Sequence, residues 1–596
     1  VWLLANFACF NAGHVEPAVV LIGGLNMAAA IHALARQRRL ADWAVVLGRI
    51  SGGTILFLGL TMPMWMSFLD ALKGSFSLHS AVRVVQLHAA SFPGVFDDIF
   101  FLLPRKSDIY PAVAPGTSLL VMVGVVLAAL RWRQLKGEPF FWVNSGAILL
   151  WGGCIFGWVP ASILGVVPMI NRVGHTETDF SYLLVIHLTL QSAYGFNCLA
   201  RETSFRRVAK DLFWVGLIFT GMLLIYSLGL THRAIPWGYV ACAIVGAVGA
   251  PLLFAYLKRV RRPASVAGWA GILILGFVPQ YRFGLYTFGD ENLLMIPGPR
   301  AVLNAPSQSI QKIQADASGP FRAVGLEWIL PGDYSAVYGL EDIRSCAPLS
   351  SGPYIDLFRK FPGVDFGGED GWGIEIVNPV AAQPLLNLLN VRYVLAPPSV
   401  QFGEQTRDAL NRLAFRVSDR SDFLVLENME VWPRAFFTDK LFTNSSTETF
   451  TKQLLNNARQ PFVSVSANEI KNQPGLLPLE NTKNTTVVSA SHYQLLPNST
   501  AFDIHASSAG VVCLTEGQAR DFTATANNKP ITVLTVNRAF KGVFLDRPGD
   551  YHIEFTYRPH DWRLACAFFW TALGCVVVLA FMGCRVRDGR KPVATL

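Results

Sequence analysis

The stretch "NAGHVEPAVVLIGGLNMAAAIHALARQRRL", residues 11–40, decides the fold of this chain. Its middle, 17–35, carries no Asp, Glu, Lys or Arg, and it ends on Arg36, Arg38 and Arg39. A bilayer core of about 30 Å is crossed by about 20 apolar helical residues. Basic clusters beside such a run mark its cytoplasmic end. Residues 17–35 therefore read as a membrane span whose opposite lip, bearing His14 and Glu16, faces outward.

Working outward, nine runs fit this description: 17–35, 41–60, 116–132, 140–160, 180–200, 211–231, 237–257, 264–281 and 564–584. Arginines and lysines gather at 36–39, 131–136, 201–210, 258–262 and 585–591, on every second connection. Those connections are expected in the cytoplasm. The connections 1–16, 61–115, 161–179 and 232–236, together with the long segment 282–560, are expected outside. Hydrophobic residues at 52% and charged ones at only 15% exclude an ordinary soluble protein. The net charge of +9 is not a nucleic-acid signal, because residues 282–560 hold 24 Lys and Arg against 28 Asp and Glu. The positive excess lies in the apolar part, where membrane orientation accounts for it.

The expected fold class is thus a multi-span α-helical membrane domain with an exported α/β and β-sandwich domain and a C-terminal membrane helix. The divisions are 1–281 for the polytopic domain, 282–400 for an α/β part, 401–560 for a β-rich part ending in a sandwich, and 561–596 for the last span and basic tail. "SGPYIDLFRKF" and "FRAVGLEWIL" mix helix-like and strand-like patterns, whereas "FDIHASSAGVVCLT", "ITVLTVNRAFKGVFL" and "DYHIEFTYRP" read as strands. "ANNKP" and "RPGD" mark turns between them. There is no CxxC, no metal-finger spacing, no P-loop and no GxGxxG. The chain opens without Met on an apolar run and reads as lacking its N-terminal part.

Four phrases are specific in combination: "YGLEDIRSCAPL" (338–349), "LLNLLNVRYVLAPP" (385–398), "LVLENMEVWPRAF" (424–436) and "ANNKPITVLTVNRAFKGVFLDRPGDYHIEFTYRP" (526–559). In this order, with "GHVEP" and "VVPMINRV" (166–173) before them, the chain resembles the YfhO-like bacterial membrane proteins. It departs from that family where "GQARDF" (517–522) stands for a Tyr-Pro-Gly-Trp-like phrase, and where a Gly-His-Pro-Glu/Gln-like element reads Gly13-His14-Val15-Glu16-Pro17. The family resembles the GT-C class of glycosyltransferases. The resemblance implies transfer of a sugar from a polyprenyl-phosphate carrier to a cell-envelope polymer, such as a teichoic acid or polysaccharide, on the outer face of the bacterial cytoplasmic membrane. It also implies a principal carboxylate base near the N-terminus, ahead of the residues present.

Such a transfer needs a carboxylate to accept a hydroxyl proton and positive charge to hold the leaving phosphate. The outer short connections offer Glu16, Asp70, Asp97, Asp98, Asp108, Glu177 and Asp179, with Lys73, Arg83, Arg105, Lys106, Arg172 and Arg233 nearby. Two clusters are candidates for catalysis: His14 with Glu16, and "NRVGHTETD", where Glu177 and Asp179 would act beside Arg172 and His175 as substrate-binding groups. If extended, His175, Glu177 and Asp179 fall on one side of the backbone, a set that would admit a divalent metal. Solvated span ends and the helix dipole explain the same carboxylates without a site. Arg49, inside 41–60, costs at least ~2.5 kcal/mol in lipid and is expected to face a polar cavity, a phosphate or an ion-pair partner. His187, Gln191 and Asn197 suit interhelical hydrogen bonding better than catalysis. The expected partners are a polyprenyl-phosphate sugar, membrane lipid and an envelope polysaccharide acceptor, with no nucleic acid. Two alternatives stand beside the enzyme: a non-catalytic polysaccharide-binding assembly protein, and a transporter or flippase of a lipid-linked sugar.

Overall fold

The computed structural model describes residues 2–11, 15–76, 116–166, 176–202, 204–229, 306–326, 334–344, 350–366, 373–399, 415–481 and 486–588, with isolated residues between them. The chain divides into two compact units, one of 1–62, 79–296 and 568–596, the other of 63–78 and 297–567.

The first unit is helical. Its helices are α1 (Trp2–Phe10), α2 (Val15–Ala35), the first part of α3 (Leu40–Gly74), α4 (Leu119–Leu130), α5 (Pro139–Ile155), α6 (Ser181–Arg201) and α7 (Phe205–Gly229). Among the described residues, Pro17–Ala35, Leu40–Gly74, Ser181–Arg201 and Trp562–Met582 are long and apolar enough to cross a membrane, and α4 and α5 are shorter apolar helices. The run at 211–231 falls largely within α7, while 237–257 and 264–281 lie outside the described residues. Helix α1 corrects the reading of 1–16 as connection alone, since "WLLANFACF" has no breaker to stop a helix.

Without a hydrophobic drive between helices in lipid, packing rests on small residues and polar contacts. Helices α4 and α6 meet where Gly124 faces Ser192 and Gly195, so closely that neither glycine has room for a Cβ. Trp151 of α5 stacks on Phe180, ring centroids 5.7 Å apart. Asn144 donates from Nδ2 to the His187 carbonyl and to Gln191 Oε1, both at 2.8 Å, and accepts from His187 Nδ1 at 2.6 Å. Gln191 Nε2 in turn donates to Ser145 Oγ at 2.9 Å. His187 and Gln191 thus bind helix to helix as expected. Asn197 is exposed and takes no part in this network.

Helix α3 spans 35 residues, about 52 Å at 1.5 Å per residue, far more than a bilayer core requires. Residues 61–74 therefore continue the helix, which corrects the reading of an outer loop from 61. Within it Ser67 Oγ bonds the Pro63 carbonyl at 2.9 Å, and Thr61 Oγ1 bonds the Phe57 carbonyl at 2.8 Å. Beyond Gly74, Ser75–Phe76 pairs antiparallel with Ser350–Ser351, and the Arg359 guanidinium lies 4.5 Å from the Phe76 ring centre.

The second unit is rich in strands. A four-stranded sheet has the order β1 (Arg322–Gly325), β2 (Val391–Ala396), β4 (Leu424–Asn428), β3 (Phe415–Asp419). Helix α8 (Gln308–Gln314) precedes β1, and helices α9 (Gly352–Phe358) and α10 (Pro379–Leu388) lie between β1 and β2. "LLNLLNVRYVLAPP" accordingly runs from helix into a buried strand. Its Asn390, at φ 58°, turns the chain and donates to the Trp432 carbonyl at 2.8 Å.

A seven-stranded sheet has the order β6 (Leu441–Asn444), β7 (Val463–Ser466), β14 (Val533–Val536), β15 (Phe540–Leu545), β11 (Gly510–Gly517), β5 (Ala435–Thr438), β8 (Val487–Ser489). A five-stranded sheet follows as β9 (Ser491–Leu496), β10 (Ser499–Ala506), β16 (Gly549–Tyr557), β12 (Phe522–Ala526), β13 (Lys529–Ile531). Side chains alternate across a strand, and here both faces of the seven-stranded sheet are dry. Phe437, Val512, Leu514 and Val543 share a core with Phe502, Ile504, Ile553 and Phe555 of the five-stranded sheet. Phe436, Val511, Cys513 and Phe540 point the other way, into a core with Leu385, Leu388 and Trp432. That second core reaches from Val324 to Phe540, across the 400/401 boundary drawn from the sequence. "ANNKP" is the turn expected: Asn527 and Asn528 both have positive φ, as a two-residue hairpin loop requires.

Candidate functional site

The doubly buried seven-stranded sheet holds a cluster of charge. Arg434 enters just before β5, Glu516 lies on β11, Lys541 on β15 and Arg322 at the start of β1. Arg434 Nη1 is 2.6 Å from Glu341 Oε2, and its Nη2 is 3.0 Å from Glu516 Oε1. Lys541 Nζ lies 3.1 Å from Glu516 Oε2, where Thr500 Oγ1 also donates at 3.0 Å. Arg322 donates from Nη1 to the Leu389 carbonyl at 2.7 Å and from Nη2 to the Thr515 carbonyl at 2.8 Å. Burial, with Arg434 beside it, lowers the Arg322 guanidinium to about 10. Burial acts to raise the Glu516 carboxyl, but Lys541 and Arg434 outweigh it and hold the group below its ordinary range. Burial lowers the Lys541 ammonium, which sits 3.7 Å from the Phe522 ring centre. Each member is satisfied, so the cluster ties four strands and a loop together; it presents no open ligand position.

The same unit has an open cleft of about 160 Å³ at the end of α3. Met66, Asp70 and Lys73 come from that helix, and Asp521 comes from the connection between β11 and β12. His560, Asp561 and Trp562 come from the entry to the C-terminal helix α12 (Trp562–Asp588). Both helices count among those long enough to cross a membrane. Asp70 and Asp521 line the cleft together, with Lys73 and Arg520 as the nearby cations. Asp521 Oδ2 is fixed by the His560 backbone N–H at 3.2 Å, and the Arg558 N–H donates to the Asp521 carbonyl at 3.0 Å. Burial, then the charges of Asp521 and Asp70, push the Tyr557 phenol upward. Chemically, a carboxylate beside a lysine is able to accept a hydroxyl proton, and the lysine to stabilise developing negative charge.

The residues singled out from sequence stand elsewhere. Glu16 is in the first turn of α2, whereas His14, Arg172 and His175 lie outside the described residues. Glu177 and Asp179 fall in a helical turn, Thr176–Asp179, which corrects the extended reading. Residues two apart in a helix point about 200° apart, so the alternation of an extended backbone does not apply within Thr176–Asp179. Among the described residues, no group of three or more His, Cys, Asp or Glu is placed to hold a metal ion. Arg49 is exposed on α3. Cys513 is a free, buried thiol.

Asp70 and Lys73 were visible as polar residues at the end of an apolar run. Asp521 had no such signal: it belongs to "GQARDF", the phrase that departs from the YfhO-like pattern. Comparison with protein-family models, with curated proteins and with solved structures gives no match to this chain.

Proposed function

We propose that this chain is a polytopic, GT-C-like glycosyltransferase of the YfhO type. It would move a sugar from a polyprenyl-phosphate carrier to a cell-envelope polymer outside the bacterial cytoplasmic membrane. The observation that carries this reading is the cleft at the end of α3, where Asp70 and Asp521 stand next to Lys73. Those residues sit where an apolar helix runs beyond the length a bilayer needs, the position at which a lipid-linked sugar meets water. In this reading nine spans cross the membrane, 282–560 lies outside and the C-terminus is cytoplasmic. The strand-rich domain holds the acceptor, and the Asp70–Asp521 pair serves as or supports the base.

A second reading is favoured by one observation. The outer face of the five-stranded sheet is polar: His552 and His492 both reach Asp503, at 2.7 and 3.0 Å, and His505 reaches Asp550 at 2.7 Å. A flat polar face of that kind suits polysaccharide binding without catalysis.

The deciding experiment supplies the full chain with radiolabelled polyprenyl-phosphate sugars and membrane acceptors and follows label into polymer. Transfer that falls at least tenfold in Asp521→Asn, with the protein still folded, supports the enzyme. No transfer from any donor, with glycan binding retained, refutes it in favour of the binding protein.

A further inference from the structure

We infer that the cleft between the end of α3 and the start of α12 takes a single uncharged pyranose, a neutral hexose or N-acylated hexosamine, and rejects uronic acids and phosphorylated sugars. This rests on reading the cleft as the sugar-handling site, and it adds the class of sugar. Size is the first argument. About 160 Å³ is well below the roughly 300–1,000 Å³ of pockets for drug-sized ligands, so it admits one ring and no oligosaccharide or prenyl chain.

Charge is the second argument. Asp70, Asp521 and Asp561 line the cleft with Lys73. Three carboxyl groups against one ammonium make the lining acidic on balance, so a further anionic substituent meets repulsion in a partly desolvated space. Hydroxyl groups suit the same lining well. Each donates to a carboxylate, and a hydrogen bond to a charged group is the stronger kind, while Lys73 donates to a ring or glycosidic oxygen. Trp562 lines the cleft and is about half exposed, offering the aromatic surface that the apolar face of a pyranose covers. Asp521 is the fixed member of the set, held through the His560 N–H, and it therefore sets the position of the hydroxyl it accepts.

The test measures binding of methyl glucoside, methyl N-acetylglucosaminide and methyl glucuronide to the full chain in nanodiscs by saturation-transfer NMR. At least one neutral glycoside is expected to bind at least tenfold more tightly than the glucuronide. Asp521→Asn should weaken that neutral glycoside by about tenfold, the loss of one charged acceptor. Lys73→Gln, on an exposed helix position, should weaken it severalfold and leave the neutral preference in place. If Asp521→Asn fails to fold, Lys73→Gln and Trp562→Ala carry the comparison. Glucuronide binding equal to or tighter than that of both neutral glycosides overturns the inference, as does wild-type affinity in all the variants. A cleft that binds neutral glycosides while no carrier donates label refutes the transferase reading alone. Transfer that uses a uronic-acid donor as well as a neutral one refutes this inference alone.

Discussion

Glu516→Gln is the sharpest perturbation of the strand-rich unit. The carboxylate accepts from Arg434 at 3.0 Å, from Lys541 at 3.1 Å and from Thr500 at 3.0 Å. An amide of the same shape keeps the packing and removes the charge. Arg434 retains Glu341, but among the described residues Glu516 is the carboxylate within ion-pair distance of Lys541. The Lys541 side chain, only 3% exposed, is then a buried cation without a counter-ion. Breaking one side of a buried ion pair costs about 3–5 kcal/mol. At about 2–4 °C per kcal/mol for a body of this size, the melting point of the full chain in detergent should fall by roughly 6–20 °C. Adding Lys541→Met removes the orphan and lays an apolar chain over Phe522, so the double variant should recover a good part of that loss. The pH dependence has a definite sign. The folded carboxyl lies below its ordinary 4.5, so its stabilisation is complete above that value and disappears as pH falls through the depressed one. Glu516→Gln should therefore differ least from the parent in acid. A single variant melting within 2 °C of the parent at neutral pH, or a double variant no better than the single one, would refute the reasoning (roughly 1 kcal/mol being the smallest loss compatible with an orphaned ion).

Two further outcomes follow from named contacts. Asp419 is held below its ordinary 3.8 by Lys312 first, then by Ser309 and Ser421, so it stabilises the fold above that value and loses the effect as pH falls. Asp419→Asn should cost about 1–2 kcal/mol in urea unfolding at pH 7, a modest figure because Lys312 is largely in water, and the gap should close in strong acid; a gap that widens on acidification counts against it. In the helical unit, Gly195→Leu drives a side chain into the Gly124 backbone and should cost about 1–3 kcal/mol, read as earlier detergent-induced loss of the fold; unchanged stability would mean that α4 and α6 do not meet there.

How much of this was legible depends on the range of the cause. The apolar runs at 17–35, 180–200 and 564–584 appear as helices long enough to cross a membrane, because length and the lack of charge are local properties. The strand phrases near the C-terminus appear as strands for the same reason. Helix α3 overran its predicted end because 41–60 was bounded by the length a bilayer requires, which sets no limit on the helix itself. The turn at 176–179 was not legible because four polar residues carry no period strong enough to choose between extended and helical backbone. Asp70 was visible as a charge at the end of an apolar run. Its pairing with Asp521 was not, since it is made by the return of the chain after the whole strand-rich unit, and no local pattern encodes that.

The phrases that made the chain look familiar bear on fold more than on chemistry. "YGLEDIRSCAPL" supplies Glu341, "LVLENMEVWPRAF" supplies Arg434, and the last phrase supplies Lys541. These three, with Glu516, form the buried charge cluster, which has no open ligand position. In the same way Asn387 and Asn390 of "LLNLLNVRYVLAPP" bind the Ala458 and Trp432 carbonyls inside the core. Such residues are hard to exchange one at a time, because each substitution leaves its partner buried and unpaired. A sequence signature built from them therefore marks a folded scaffold. The residues that would give the scaffold its chemistry, Asp70, Lys73 and Asp521, lie outside all four phrases, at an accessible cleft where exchange costs little stability. If that division holds, chains sharing the phrases share the strand-rich unit, and their substrates are decided by what stands at positions 70, 73 and 521.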